Sequence, residues 1–399
     1  MPLAVYLLGA AIFAQGTSEL FLTGLLPDIA EDLSVTLPQA GMLTSGFAIG
    51  MAIGAPILAV VTLRWDRRRT LLGLLAAFAI THVAGALAPT YELLMVTRVV
   101  GAFAYAGFWA VASVTAITLA GPNARGKAMS IVAGGLTVAT VAGVPAGAVI
   151  GQHLGWRAAF WAITALTLLS AVGVWKTVPA ANHTAETRPR LRTELRTYRK
   201  PRIWVAYLAA AMSSASATAT FTYLGALLIG VTGIAEAWVP AVLVLFGIGS
   251  IIGITVGGRV ADARPYATLY IGFGGVIAAA ALLAVGAASP AAALVGSFLL
   301  PMFGFATNPA VNVVVFGLAD DAPTLAGATN VTAFNVGITL APWVAGLLIG
   351  AGFGLASVAW ASVGLAVIGI GAVGWSHALR HRRAPTDESP RPELVPVEP

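Results

Sequence analysis

Residues 40–69 read AGMLTSGFAIGMAIGAPILAVVTLRWDRRR. The stretch from 40 to 62 is uncharged, and Arg64, Arg67, Arg68 and Arg69 follow at once. A helix needs ~20 apolar residues to cross ~30 Å of hydrocarbon, and basic residues collect on the cytoplasmic side of such a span. Working outward, runs of the same kind fall at 4–26, 71–88, 92–119, 128–150, 157–178, 203–231, 237–258, 267–287, 291–318, 325–350 and 354–378. Apart from Arg98 and Arg157, every Lys and Arg lies on alternate connections or at the C-terminal end: the turn at Arg64–Arg69, Arg125 and Lys127, Lys176 to Arg202, Arg259 and Arg264, and Arg380 onward. The other connections are acidic, with Asp28, Glu31, Asp32, Glu92 and Glu236. The pattern predicts twelve transmembrane helices in a cell (inner) membrane, with both termini and the central loop cytoplasmic.

Composition excludes other classes. Hydrophobic residues make up 58% and charged residues 10% of the chain, and the mean hydropathy is +0.88, beyond the range of soluble proteins of this length. The pI near 9.9 reflects orientation and contact with anionic lipid, so no nucleic-acid partner is expected. The chain has no Cys, which removes disulfides and thiolate chemistry. The first run is too long for a signal peptide, lacks a basic leader and contains Glu19. The histidines are scattered, there is no GxxxxGK[ST], and no paired intramembrane carboxylates occur, so neither metal nor cofactor nor enzyme activity is expected.

One long polar stretch, Pro179–Pro201, separates six runs from six. It predicts two pseudo-symmetric six-helix bundles, 1–178 and 203–380, a cytoplasmic linker at 179–202 and a disordered tail at 381–399. A shift of 199 residues lays Gly50 and Gly54 on Gly249 and Gly253; a shift of 197 lays Pro145 on Pro342. Parallel repeats of this kind are an architecture of secondary transporters. The stripes Gly46/Gly50/Gly54 and Gly249/Gly253/Gly257 serve either static packing or a face on which the bundles rock. Pro145, between Gly143 and Gly147, predicts a kink in the fifth helix.

Leu136–Trp161 (LTVATVAGVPAGAVIGQHLGWRAAFW) resembles the fifth-helix motif of the twelve-helix drug:proton antiporters of the major facilitator superfamily. Gly16–Phe21 (GTSELF) and Gly24–Ala30 (GLLPDIA) are similar to their first helix, and Arg98-Val-Val-Gly-Ala to the start of their fourth-helix arginine motif. Within that family the first half resembles actinobacterial chloramphenicol exporters. The basic turn departs from the pattern: Leu63 stands where the family has Asp, and Asp66 where it has Gly. The second copy keeps Asp262 and Arg264. The resemblance implies that Asp66, Arg67, Arg68, Asp262 and Arg264, with Gly143, Pro145, Gly147 and Pro342, serve conformational change, and that an Asp-dependent lock survives only in the second half. The tenth and eleventh helices read more like general members of the family. It implies export of a small neutral drug by a monomer exchanging protons, with a sugar, nucleoside or other metabolite exporter as the competing reading. A non-transporting sensor is disfavoured by the near absence of soluble domains.

A charge within the membrane costs ~2.5–3.5 kcal/mol on insertion scales, so Glu19 and Arg98 are the leading functional candidates. At 1.5 Å per residue both lie roughly 10 Å below the outer surface, on helices that line the cavity of the fold this chain resembles. They either couple proton movement or form a fixed structural pair. Gln15 lies one turn from Glu19. Ser213, Ser216, Thr220 and Tyr223 share a stripe of helix seven, read either as a wet wall or as hydroxyls bonded to their own helix. Asn308 and Asn335 offer hydrogen bonds, Tyr105 and Phe108 rings for stacking. His82 reads as a satisfied core histidine. Trp156, Trp161, Trp175, Trp204 and Trp238 read as interfacial anchors.

Overall fold

The computed structural model describes residues 1–62, 65–121, 124–179, 201–319 and 323–381. Most of the expected linker, the tail from 382, and Leu63 and Arg64 of the basic turn lie outside the described residues. Among the described residues, twelve helices are long and apolar enough to cross a membrane: α1 (Leu3–Gly24), α2 (Leu37–Leu58), α3 (Arg67–Ala86), α4 (Tyr91–Ala120), α5 (Arg125–Leu154), α6 (Trp156–Thr177), α7 (Pro201–Gly230), α8 (Glu236–Ala261), α9 (Pro265–Val285), α10 (Pro290–Leu318), α11 (Thr329–Gly350) and α12 (Ser357–Leu379). No strand occurs among the described residues. Hydrocarbon offers no partner to a free peptide group, and a helix satisfies its own.

An even number of spans brings both termini to one face, with the basic turns; the opposite end is called here the far face. Within the first half α2 packs on α4, α3 on α4 and α6, and α5 on α1; the second half repeats this with α8 on α10, α9 on α10 and α12, and α11 on α7. The 199-residue offset holds at atomic detail. A Cβ on Gly50 would come 2.3 Å from Val99 O, and one on Gly249 2.3 Å from Phe298 O; Gly54 meets Phe103 as Gly253 meets Met302. Both glycine stripes therefore face a partner helix inside their own half, the static alternative, and do not form the rocking face.

The halves meet along α2 against α11 and α5 against α8. Ser45 Oγ donates to Thr339 O at 2.7 Å, Thr332 Oγ1 to Ala52 O at 3.2 Å, and Gln152 Nε2 to Glu236 O at 2.8 Å. The α5–α8 packing lies on Ala139–Leu154; Arg125–Val138, toward the termini, packs on α1 and α4 instead. The α5–α8 packing thus closes the far face, while the Thr332–Ala52 bond also joins the halves along the terminal-side part of the α2–α11 seam. Ahead of Pro145, which has no N–H to give, α5 widens into a π-helical turn at Ala139–Gly143. The expected kink is taken up this way. Pro342 lies inside a continuous helix.

Basic turns cap and brace their own half. Asp66 Oδ1 accepts from Arg69 N at 2.8 Å at the start of α3, Arg67 donates to Thr118 Oγ1 at 2.8 Å, and Arg68 lies 6.0 Å from the Trp175 ring. The side chains of Asp262 and Arg264 make no hydrogen bond or ion pair among the described residues. At the far face Arg157 pairs with Asp32, donates to Ala88 O at 3.1 Å and lies over Trp156 at 4.3 Å. Trp156 is buried there and donates to Asp32; it is no interfacial anchor, unlike the exposed Trp161, Trp175, Trp204 and Trp238.

Candidate functional site

A narrow cavity of about 30 Å³ lies between the halves. Glu19, Leu20 and Thr23 of α1 and Thr44 and Phe47 of α2 form one wall; Thr218 and Phe221 of α7 and Ile338 of α11 form the other. Glu19 is its one ionisable lining group. The remainder is hydroxyls, aliphatic carbon and two aromatic rings, with Phe221 stacked on Phe246 at 4.3 Å. In chemistry such a lining suits a small uncharged molecule with a ring and a few hydrogen-bonding groups, beside a carboxyl able to take or release a proton. In this conformation there is room for only a water or two, so the halves must part to admit such a molecule.

The cavity is shut toward the far face by Tyr223. Its side chain is buried, its hydroxyl donates to Pro342 O at 3.1 Å, and it fills the space left by Gly41 of α2 and Gly346 of α11. A Cβ on Gly41 would lie 2.2 Å from that oxygen. Tyr223 is therefore a plug across the seam and not a wall of the cavity.

Arg98 reaches α1 but meets Ser18, the residue before Glu19. Its NH1 donates to Ser18 Oγ and its NH2 to Ser18 O, both at 2.8 Å. The guanidinium lies 4.2 Å from the Phe47 ring centroid and 5.9 Å from that of Phe21, contacts worth about 1–2 kcal/mol when desolvated. The charges of Arg98 and Glu19 interact through space, but no direct salt bridge joins them: Arg157–Asp32 is the one salt bridge among the described residues. Arg98 lies level with the Ser18–Glu19 step, but successive residues point ~100° apart around a helix, and Ser18 has the azimuth that faces α4.

The other expected binding residues do not line this cavity. Gln15 is buried, with Nε2 donating to Ala11 O at 3.3 Å. Ser216 bonds back to Ser213 O at 3.2 Å, and Thr220 pairs with Ser362 of α12 at 2.7 Å. Ser213 hydrogen-bonds Thr307 and also Asn308, at 3.2 Å. The polar stripe of α7 thus turns toward α10 and α12, and the cavity sees Thr218 and Phe221. Asn335 Nδ2 donates to Val331 O at 3.0 Å in its own helix. Tyr105 is buried among Phe47, Phe78 and Trp109, and Phe108 is fully buried. Of the predicted binding set only Glu19 lines this cavity. Gly143 and Gly147 let α5 lie against Thr17 and Phe21 of α1, while Val141, in the π turn, meets Gly247 of α8. The fifth-helix motif thereby touches both halves.

Comparison with known proteins gives these features a family. The Major Facilitator Superfamily model matches residues 8–342. The chain is 43% identical to a chloramphenicol resistance protein of Streptomyces lividans, over 91% of this chain and 93% of that one. It is 33% identical to the uncharacterized MFS-type transporter YtbD of Bacillus subtilis, over 95% and 96%. Among solved structures it superposes on a bacterial homologue of the human lysosomal transporter Spinster, inward-facing and unoccupied, with a TM-score of 0.73 at 19% identity, over 95% of this chain and 97% of that one. A mutant of the nucleoside transporter NupG gives 0.75 at 17%, over 94% and 99%. At those identities the two structures speak for the fold alone.

Proposed function

The chain belongs to the major facilitator superfamily, and on that footing we propose that it exports chloramphenicol or a related small neutral drug from the cell in exchange for protons. The observation that carries this is the 43% identity, along nearly the whole chain, to a chloramphenicol resistance protein. The cavity supports it, with two rings, three threonine hydroxyls and a single carboxyl. The termini lie in the cytoplasm and the far face outside, so the conformation described is shut to the outside.

The drug enters the cavity from the cytoplasm or inner leaflet, against Phe47, Phe221, Thr44 and Thr218. Opening of the far face moves Tyr223 out of the seam and releases it. Glu19 then takes a proton from outside, and the return stroke delivers it to the cytoplasm. One charge moved per cycle is worth ~2.3 kcal/mol per 100 mV, or ~50-fold in drug gradient. Arg98 and the basic turns hold the geometry through which Glu19 and the seam communicate.

Accumulation of labelled chloramphenicol in a susceptible host tests the substrate. Cells carrying the chain should accumulate less than vector controls, and an uncoupler should abolish the difference. Equal accumulation with and without the chain refutes the drug assignment and turns the search to sugars, nucleosides and other small metabolites.

A further inference from the structure

His82, near the far-face end of the apolar helix α3, is buried and has no part in the cycle above. Its Nδ1 lies 2.8 Å from Phe78 O and its Nε2 2.6 Å from Ser18 Oγ. A carbonyl oxygen can only accept, so Nδ1 carries the hydrogen, and a neutral ring then offers Nε2 as acceptor. The Ser18 hydroxyl donates to Nε2, which leaves its oxygen to accept from Arg98 NH1. Hydrogen bonds therefore run in one direction, from Arg98 to Ser18 to His82 to Phe78 O. A charged imidazole would reverse the middle bond and set two cations on one serine oxygen. The arrangement that holds Arg98 on α1 thus requires His82 to be neutral.

We propose that His82, acting through Ser18, is a positioning residue that decides whether Arg98 is held on the α1 backbone or released toward Glu19, and so sets the pH at which the transporter changes conformation. The proposal takes Glu19 as the proton site, as above. Ser18 and Glu19 are neighbours in sequence, and Phe47 both carries Arg98 against its ring and lines the cavity beside Glu19. The exchange of partners is therefore short. The groups around it limit the alternatives. From α4 come Arg98 and Tyr105, the latter within electrostatic reach of Glu19. From α2 come Thr44 and Phe47, and α6 supplies Phe160, 5.7 Å from the imidazole. Facing Glu19 from the second half are Thr218, Phe221 and Ile338. No further charged side chain stands among them to take over the role of Arg98.

The chain has no cysteine, so Thr44→Cys in the cavity wall reports opening of the far face by its reaction with an impermeant maleimide. The reaction is followed against pH without drug and corrected for thiol ionisation. In this background His82→Asn keeps a donor for Phe78 O but loses the acceptor for Ser18, and Ser18→Ala removes the bridge with a smaller change. His82→Gln can place its amide oxygen where Nε2 accepts. A freed guanidinium facing a carboxylate disfavours its protonation. His82→Asn and Ser18→Ala should therefore each move the midpoint to lower pH by about one unit, the pair together no further, and His82→Gln should restore it. Midpoints that stay fixed while only rate or protein amount changes overturn the proposal. Glu19→Gln in the same assay is the separate check. A pH response that persists there refutes Glu19 as the proton site, whatever the His82 variants do, and the absence of drug makes the outcome independent of substrate.

Discussion

Gly41→Ala should drive the far face open. The new methyl would sit 2.2 Å from the Tyr223 hydroxyl, 2.6 Å from Cζ and 2.8 Å from Cε1. These are rigid ring atoms held by the bond to Pro342 O, so α2 and α7 must separate. Overpacking of this kind costs about 1–3 kcal/mol. Gly41 and Tyr223 belong to different halves, so the cost exists only while the seam is shut. It therefore moves the closed-to-open ratio by about 5- to 150-fold, at 1.4 kcal/mol per factor of ten. Labelling of Cys at position 44 from the far side, in Thr44→Cys with and without Gly41→Ala, reads that ratio. Gly50→Ala is the matched control: its methyl would meet Val99 O at 2.3 Å inside one half and should lower thermal stability without changing labelling. If Gly41→Ala lowers stability but labels like its parent, or if Gly50→Ala labels as fast, the clash is not selective for one conformation and the seam is wrongly placed.

Three further outcomes follow from the same geometry. Asp28, on the far-face connection after α1, has its carboxyl pushed above the usual range by burial first, then by the nearby Glu236 and Glu31. Protonation of Asp28 therefore favours the closed far face, an advantage complete below the ordinary carboxylate value and lost as pH rises through the raised one; Asp28→Asn should flatten the corresponding part of the labelling curve and favour closure at neutral pH. Arg157→Ala removes a partly exposed ion pair, worth at most about 1 kcal/mol, and also the bond to Ala88 O; it should lower the melting temperature of purified protein by a few degrees, with Arg157→Lys recovering only part. Phe221→Ala takes away a cavity ring stacked on Phe246 and should weaken drug binding, measured by fluorescence or calorimetry, several-fold more than Thr220→Val, because Thr220 faces Ser362 and not the cavity.

Topology was legible from charge placement because a span long enough to cross hydrocarbon can start only a few ways, and basic residues mark alternate ends. The repeat offset carried further than topology: it correctly paired Gly50 with Gly249, whose contacts prove equivalent down to the carbonyl each one meets. Glu19 stood out as a charge in an apolar run. Its depth matched that of Arg98, but depth follows from residue counting and azimuth does not. The lateral partner of Arg98 is Ser18, on the adjacent face. The α7 stripe left two readings open for the same reason. Its spacing identified one face, yet nothing in an all-apolar neighbourhood distinguishes a cavity from a partner helix, and Ser362 and Thr307 take up its hydroxyls. Thr218 and Phe221, on the other face of α7, had no polar pattern to reveal them. His82 was read as satisfied in the core, which holds for both nitrogens; that its partner also holds Arg98 required the three-dimensional arrangement of α1, α3 and α4.

The proposed cycle rests on the carboxyl that lines the cavity coupling drug to protons. The direct measurement is proton movement in proteoliposomes on imposing a chloramphenicol gradient, for the parent chain and for Glu19→Gln reconstituted at equal amounts. Drug-driven proton flux is expected in the parent and none in Glu19→Gln, with drug exchange retained in the variant. Undiminished drug-driven proton flux in Glu19→Gln would contradict it.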